Sequence, residues 1–434
     1  MKTLTIFVIC SIFLLSACSG VVVEPTETPP PQNNETYSKS DLARVTSPDV
    51  PENIIQQLAN DNTTFALEFY DQVRDDEGNI IFSPISLSLA LAMTLAGAET
   101  TTEDAMSEAL QFSLPEDDLY NAFNALLLAI NQSEQENIEN NANSNFQLNI
   151  ANSIWAQSGY NYEKTFLDIL GENFGAGVFN VDYVQAPQMA REAINQWVED
   201  ETEEKIKELI PSGAITDLTR LVLANAIYFK GAWRYQFDAS QTAEAPFYRL
   251  DGSSINVDMM KLGSERLRYY QGQNYQVVSL PYMSPDFEMT IIMPELESFS
   301  EFESSLTQEE LASIISTMNT EQIELEMPKF DFETTINANE ALKSLGMSEA
   351  FVAGMADFSG ITKDEDLLIT DVLHKATIII DEEGTEAAAA TAVIVGLEAL
   401  PPDPISLMID QPFLFFIQHQ PTGSILFMGR VTQP

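Results

Sequence analysis

Cysteine and histidine are almost absent from this sequence. Its 434 residues include two cysteines, Cys10 and Cys18, and two histidines, His374 and His419. Neither histidine lies in a motif typical of a nucleophilic triad or of a zinc site, and catalysis of either kind requires such a motif. We therefore expect a protein that is not an enzyme and that holds no metal and no cofactor.

Lysine and arginine are also scarce. The chain has 20 basic against 66 acidic residues, a net charge of −46, and residues 75–163 contain no lysine or arginine. Binding to a phosphate backbone requires clustered basic side chains, so nucleic acid is not an expected partner. A charge of this size and sign indicates a solvated acidic surface that keeps the protein soluble.

The N-terminus has the features of an export signal. Lys2 is followed by an apolar run from Leu4 to Leu15, which is too short to span a membrane. The run ends in Leu-Ser-Ala-Cys at residues 15–18, which resembles the bacterial lipobox. That resemblance implies cleavage before Cys18, a lipid on its thiol and an extracytoplasmic protein anchored to the bacterial cell envelope or cell surface. An ordinary secretory signal with a chance cysteine is the alternative.

Composition divides the chain into three parts. Residues 1–17 form the predicted signal peptide, and residues 18–50 form a lipid-anchored tether whose proline and polar residues cannot build a core. From residue 51 the chain is globular. Apolar residues recur at helical spacing mainly in its first half and alternate as in strands mainly in its second half. This arrangement favours an α+β fold with a large sheet.

One stretch near the C-terminus suits several conformations. Residues 381–402 open with Asp-Glu-Glu-Gly, continue with small and β-branched residues and close with Pro-Pro. In a strand, Thr385 and the alternate residues after it would form a face that can be buried, and no proline interrupts the ladder before residue 401. The four alanines at 387–390 suit a helix as well. A segment that must change its conformation needs this property.

Eight groups of residues, in a fixed order along the globular part, carry a family resemblance. They are FSPIS at 82–86, INQWV at 194–198, LANAIYFKGAW at 223–233, MPKF at 327–330, LGM at 345–347, ADFSG at 356–360, DVLHKA at 371–376, and PFLF at 412–415 with LFMGRV at 426–431. On these motifs the chain resembles the serpins, a family of serine protease inhibitors, over residues 51–434.

The resemblance implies a single domain of the serpin fold, with three β-sheets, eight to nine helices and an exposed reactive loop at 381–402. It also implies irreversible inhibition of serine-type endopeptidases, with cysteine-type enzymes as further candidates. The protease cuts the loop, forms a covalent acyl complex and is carried along as the loop inserts into the main sheet. The alternative is a non-inhibitory surface-binding or scaffold lipoprotein that is only a protease substrate.

The resemblance assigns the parts of the reactive loop residue by residue. The reactive bond joins Glu398 to Ala399, fourteen positions after the hinge glycine, or Leu397 to Glu398 after a shift of one residue. Glu398 would favour a glutamate-preferring protease, whereas Leu397 or Ala399 would favour chymotrypsin-, subtilisin- or elastase-like enzymes. The hinge comprises Glu382, Gly384, Thr385, Glu386, Ala387, Ala388, Ala389, Ala390 and Thr391.

Two further sites follow from the same motifs. The shutter, a hydrogen-bonded cluster under the sheet, comprises Ser83, Ser86, Asn225 and His374. The breach, where insertion starts, comprises Trp233, Lys329 and Glu382, the last two as an ion pair. We expect a monomer. We expect no heparin-type activator, because relatives of that kind carry basic residues in the region that has none here.

Overall fold

The computed structural model describes residues 36–74, 78–140, 146–385 and 403–434. Helices are concentrated in the first half of the chain, and one of them, α5, continues as a π-helix over Leu170–Phe174. The α-helices of these ranges are α1 (Glu52–Val73), α2 (Pro84–Leu95), α3 (Thr100–Ala109), α4 (Glu116–Asn140), α5 (Lys164–Ile169), α6 (Pro187–Glu201), α7 (Phe299–Ser305), α8 (Gln308–Thr317) and α9 (Asn339–Leu342).

Strands dominate the second half, as the alternating pattern predicted. They are β1 (Thr36–Ser38), β2 (Ile80–Phe82), β3 (Gln147–Gln157), β4 (Val178–Val181), β5 (Leu221–Ala232), β6 (Ala243–Tyr248), β7 (Ser254–Gln271), β8 (Tyr275–Pro281), β9 (Phe287–Pro294), β10 (Asn319–Pro328), β11 (Phe330–Asn337), β12 (Asp371–Ile380), β13 (Gly384–Thr385), β14 (Ile405–Met408), β15 (Phe413–His419) and β16 (Ser424–Val431).

The first sheet has the order β1-β4-β3-β5-β13-β12-β11. Strands β5 and β12 run parallel, so both end at the same edge of the sheet, near Ala232 and Ile380. We call this edge the upper end and the opposite edge, where Leu221 and Asp371 begin these strands, the lower end. Strand β13 lies between β5 and β12 at the upper end.

The second sheet contains nine strands in the described ranges. The resemblance implied three sheets in the whole fold, whereas hydrogen bonding here joins two of them into one. The reason is the length of β7, whose 18 residues pair with β6 at their start, with β10 along their middle and with β8 at their end. A strand of this length, about 60 Å, can serve two layers at once.

Helix α2 anchors the core beneath both sheets. All twelve of its residues are buried, as expected for a helix that is apolar on every side. Pro84 occupies its first turn, where the missing N–H costs nothing, and the Ser83 hydroxyl caps it by accepting from the Ser86 N–H at 3.3 Å. The sequence FSPIS therefore fixes the start of a helix that lies under the centre of the first sheet.

Residues before the predicted domain boundary at residue 51 already pack on the domain. Residues 36–50 belong to the predicted tether, yet β1 pairs antiparallel with β4, and the Val45 N–H donates to the Glu172 carbonyl at 2.8 Å. We call residues 36–50 the N-terminal arm. Among the described residues, no helix is both long and apolar enough to cross a bilayer.

Candidate functional site: the seam between two central strands

The centre of the first sheet is a seam that is closed below and occupied above. Below, β5 and β12 pair directly, from Asp371 opposite Val222 to Ala376 opposite Ile227. Above, β13 separates them, with Thr385 opposite Gly231 of β5 and Ile380 of β12. The hinge residues Gly384 and Thr385 are thus already part of the sheet.

Gly384 fits this position because the backbone of β5 passes very close to it. A Cβ atom at residue 384 would lie 2.2 Å from the Gly231 carbonyl oxygen and 2.7 Å from the Ala232 Cα. Contacts of that length are sterically forbidden, so a side chain here would push the strand out of the seam. Glycine therefore permits the chain to enter the sheet at this point.

Thr385 is held inside the seam by its side chain. It is 2% exposed, and its hydroxyl lies 2.8 Å from the hydroxyl of Tyr282. Tyr282 stacks on Trp233 with ring centroids 4.6 Å apart. The motif predictions included Trp233 and Thr385 but missed Tyr282, which follows β8 and belongs to none of the quoted motifs.

The breach residues surround the turn that leads into β13. Lys329 and Glu382 form an ion pair of 2.6 Å, and the Thr242 hydroxyl donates to Glu382 at 2.6 Å. Partial burial alone would raise the pKa of Glu382, but the bonds from Lys329 and Thr242 outweigh it and lower that pKa below its ordinary value. Glu382 therefore stays ionised and holds the turn in place.

Trp233 fixes the same turn through the backbone. Its indole N–H donates to the Asp381 carbonyl at 3.1 Å, and its backbone N–H donates to the Glu383 carbonyl at 2.9 Å. The Asp381 carboxylate accepts from the N–H groups of Glu383 and Gly384 at 2.8 and 3.1 Å. The three predicted breach residues lie together, and their role in insertion stays a prediction.

The four predicted shutter residues also lie in one buried cluster. His374 and Asn225 are register partners on β12 and β5, and their side chains form a short hydrogen bond across the seam. The Asn225 amide donates to the Ser86 hydroxyl at 2.6 Å. Asn152 of β3, which the motifs did not include, accepts from Asn225 and, at 3.2 Å, from Ser86. Each of the four predicted residues has no exposed surface.

The hydrogen bonds assign the tautomer of His374. Its Nε2 accepts from the Ser83 backbone N–H at 3.0 Å, so the ring proton lies on Nδ1 and is donated to Asn225. Burial lowers the pKa of His374 to about 3. The neutral ring is therefore the form that fits this cluster, because a second proton on Nε2 would face the Ser83 donor.

The remaining predicted positions lie outside the described residues. They are the hinge residues Glu386 to Thr391, the reactive-bond residues Leu397, Glu398 and Ala399, and the lipidation residue Cys18. The part of the chain described before the loop ends in the first sheet at Thr385, and the next described residue is 403. It then enters β14, which pairs parallel with β10 in the second sheet. The two flanks of the loop are thus fixed in different sheets.

No metal site is evident within the described ranges. No group of three histidine, cysteine, aspartate or glutamate side chains there could hold a metal ion. His419, the second histidine, is buried and lies 2.8 Å from the Thr422 hydroxyl and 3.0 Å from the Ser133 hydroxyl. It joins β15 to α4, which is a structural contact.

Comparison with known proteins decides the family. A family model described as Serpin (serine protease inhibitor) matches residues 60–434. The chain belongs to the serpin family. The serpin fold and the α+β class expected from the motifs are thereby confirmed.

Relatives come from distant organisms. The serpin is 37% identical over 390 residues to the leukocyte elastase inhibitor of Sus scrofa, covering 88% of this chain and 100% of the relative. It is 35% identical over 388 residues to an uncharacterized serpin-like protein of Methanosarcina acetivorans, covering 87% and 88%. The crystal structure of tengpin, a thermophilic serpin, in its native state matches with a TM-score of 0.78 and 28% identity, covering 92% of this chain and 98% of tengpin.

Proposed function

We propose that this serpin inhibits serine-type endopeptidases irreversibly, by cleavage of its reactive loop and insertion of the loop into the first sheet. The observation that carries the proposal is the seam. Gly384 and Thr385 already form a strand between β5 and β12, while the same two strands pair directly below them. The loop therefore starts inside the gap that its continuation would have to open.

The register of β13 defines the inserted strand. Thr385 is opposite Gly231, and β13 runs antiparallel to β5. Each further loop residue would therefore lie opposite the preceding residue of β5, so residue 395 would lie opposite Leu221 at the lower end. The small residues at 387–391 favour entry, because they demand little space as the strands part.

The first step of the proposed inhibition is an ordinary acylation of the protease, which takes place before the loop moves. The serine hydroxyl of the protease attacks the carbonyl carbon of Glu398, and the amide bond to Ala399 breaks. The amine of Ala399 leaves with the proton, and Glu398 stays joined to the protease as an ester. Insertion then carries the ester away from the loop position before water can hydrolyse it.

In this proposal the His374–Asn225 hydrogen bond holds the two strands of the seam together. The two residues are register partners on the strands that must separate, and a new strand between them would add a spacing of about 4.8 Å to their distance. The bond across the seam would then be lost. Insertion thus requires the buried cluster to rearrange, which limits opening to the time after cleavage.

The relatives support an inhibitor, since they include proteins named as leukocyte elastase inhibitors. The anchor belongs to the same proposal: Cys18 would carry the lipid and place the serpin outside the cytoplasm, on the cell envelope. The scarcity of basic residues in 75–163 supports action without a polyanionic activator.

Mixing the serpin with four proteases tests the proposal: a pancreatic elastase, chymotrypsin, subtilisin and a glutamyl endopeptidase. The expected result is a complex with at least one of them that survives a denaturing gel, together with release of the C-terminal peptide. The mass of that peptide identifies the reactive bond, with Ala399 expected as its first residue. Cleaved serpin without complex for all four enzymes would instead favour the non-inhibitory alternative.

A further inference from the structure

Tyr282 lies where the end of β5 meets the segment that follows β8. Trp233 and Tyr282 form an antiparallel bridge, and the Met283 N–H donates to the Ala232 carbonyl at 2.8 Å. The ring of Tyr282 has no exposed surface and packs between Trp233 and Phe229, with centroids 4.6 and 4.9 Å away. These contacts give the side chain a fixed place at the upper end of the seam.

The hydroxyl of Tyr282 meets the first sheet at one loop residue. It lies 2.8 Å from the Thr385 hydroxyl, and neither residue has more than 2% of its surface exposed. A buried hydroxyl that loses its hydrogen bond raises the free energy of the folded state. The pair therefore favours one position of β13, in which Thr385 is opposite Gly231 and its side chain points towards Tyr282.

Gly384 selects the same position by its shape. It lies opposite Ala232, and a Cβ atom there would be only 2.7 Å from the Ala232 Cα. A shift of β13 by one residue in either direction would bring Glu383 or Thr385 to this place, and both carry a Cβ atom. A polar contact and a steric contact on neighbouring residues thus specify one register.

The register decides which side chains an inserted strand would bury. Successive side chains of a strand point to opposite faces, so a slip of one residue exchanges the two faces. With Thr385 inward, the next inward residues would be Ala387, Ala389, Thr391, Val393 and Val395. A slip of one residue would instead turn Glu386 inward and bury its carboxylate. The register present at Tyr282 is therefore the one in which the loop can enter the sheet.

We propose that Tyr282 is a positioning residue of the inhibitory reaction, whose hydroxyl fixes the register in which the cut loop enters the first sheet. This inference rests on the proposed function. The candidate reactive bonds lie twelve or thirteen residues beyond Thr385, so Tyr282 takes no part in acylation. It acts on the choice that follows. Insertion traps the protease, whereas water cleaves the ester to a carboxylic acid on the serpin and a free serine hydroxyl on the protease.

The test measures loop cleavage and trapping separately. Tyr282→Phe, Thr385→Val, the double variant and Thr385→Ser are each mixed with a protease that the unaltered serpin inhibits. A denaturing gel gives the rate of loop cleavage and the ratio of cleaved serpin to covalent complex. Tyr183→Phe is the matched control, because Tyr183 is also fully buried and its hydroxyl donates to the Trp155 carbonyl at 3.2 Å, on the β3–β4 side of the sheet.

Tyr282→Phe and Thr385→Val should each raise the ratio several-fold at an unchanged rate of loop cleavage, because insertion starts later or in the wrong register. The double variant should raise it no further than the single variants do, since both changes remove the same bond. Thr385→Ser, which keeps a hydroxyl, and Tyr183→Phe should keep the original ratio.

An unchanged ratio in Tyr282→Phe, or an equal rise in Tyr282→Phe and Tyr183→Phe, would overturn the positioning role alone. A double variant whose ratio is the product of two independent rises would overturn it as well. Failure of the unaltered serpin to form a complex with any of the four proteases would overturn the proposed function, and the positioning role with it.

Discussion

The hydroxyl groups of Thr385 and Tyr282 lie 2.8 Å apart in the interior of the seam, beside the ring of Trp233. This bond ties a buried residue of the reactive loop to the segment after β8. It exists before any cleavage, so the loop begins its path into the sheet in the uncut serpin.

Replacing Tyr282 by phenylalanine should lower the free energy of unfolding by about 1–2 kcal/mol, because the hydroxyl of Thr385 would remain buried without this partner. In a double-mutant cycle with Thr385→Val, the two changes should not add, since each removes the same bond. Chemical denaturation measures both quantities. Tyr248→Phe, at a residue that is 43% exposed, is the matched control and should change little. Strict additivity in the cycle would contradict the coupling.

Substituting Thr385 by arginine should convert the inhibitor into a substrate. Thr385 is 2% exposed, and a guanidinium in its place would have to leave the seam or be buried without its water. Insertion would start late, and deacylation would free the protease first. The gel assay should then show cleaved serpin and little complex. Met408→Arg, on the opposite flank of the loop at 41% exposure, should keep the original amount of complex. Full complex with the Thr385 variant would contradict the insertion path.

Sequence motifs located most of this site, because they carry residues that the fold brings together over long separations. Ser83 and His374 are 291 positions apart, yet each lies in a recognisable motif and they share a hydrogen bond. Asn152 could not be found in this way. It lies in an alternating strand without a motif, and its contact with Asn225 depends on the register of β3 against β5.

The packing of the N-terminal arm on the domain is a second feature that the sequence does not predict. Residues 36–50 are mostly polar and have no periodicity, so the sequence predicts a tether. Their docking depends on the partner surface, where Gly171 and Gly177 leave space for the Ser40 and Ser38 positions. The fit between the arm and the surface around these glycines depends on both segments, so neither segment's sequence predicts it alone.

Alanine at Gly177 should therefore detach the arm. Its Cβ atom would lie 2.3 Å from the Ser38 carbonyl oxygen, so β1 would have to move away from β4. Trypsin should then cut faster after Lys39 and Arg44, which mass spectrometry of the fragments can follow. Gly263→Ala is the control, because a Cβ atom there has no neighbour within 4 Å. Equal cleavage of both variants would contradict the role assigned to Gly177.

Elsewhere in the domain lies a buried cluster of charged residues, and removing one of its charges should lower the stability. Arg430 and Glu303 form an ion pair of 3.1 Å with side chains 1% and 3% exposed, and Tyr70 also donates to Glu303. Arg430→Met should lower the free energy of unfolding by about 1–3 kcal/mol, because the buried carboxylate of Glu303 loses one charged partner and keeps the other, Arg74, at 3.1 Å. Lys363→Met, in an exposed pair, should cost less than about 1 kcal/mol in the same denaturation experiment. Similar losses in the free energy of unfolding for both variants would contradict the prediction that the buried ion pair contributes more to stability than the exposed one.

His374 should make stability fall as the pH falls below about 6.5, the value expected for an unfolded histidine. Burial lowers the folded pKa to about 3, so between these two values the unfolded chain binds more protons than the folded chain. The contribution is complete above pH 6.5 and declines by up to about 1.4 kcal/mol per pH unit below it. Chemical denaturation from pH 7.5 to 4.5, in a His419→Gln background, isolates this histidine. Adding His374→Gln should flatten the profile across that window, whereas a profile with unchanged slope would show that His374 does not resist protonation in the folded serpin.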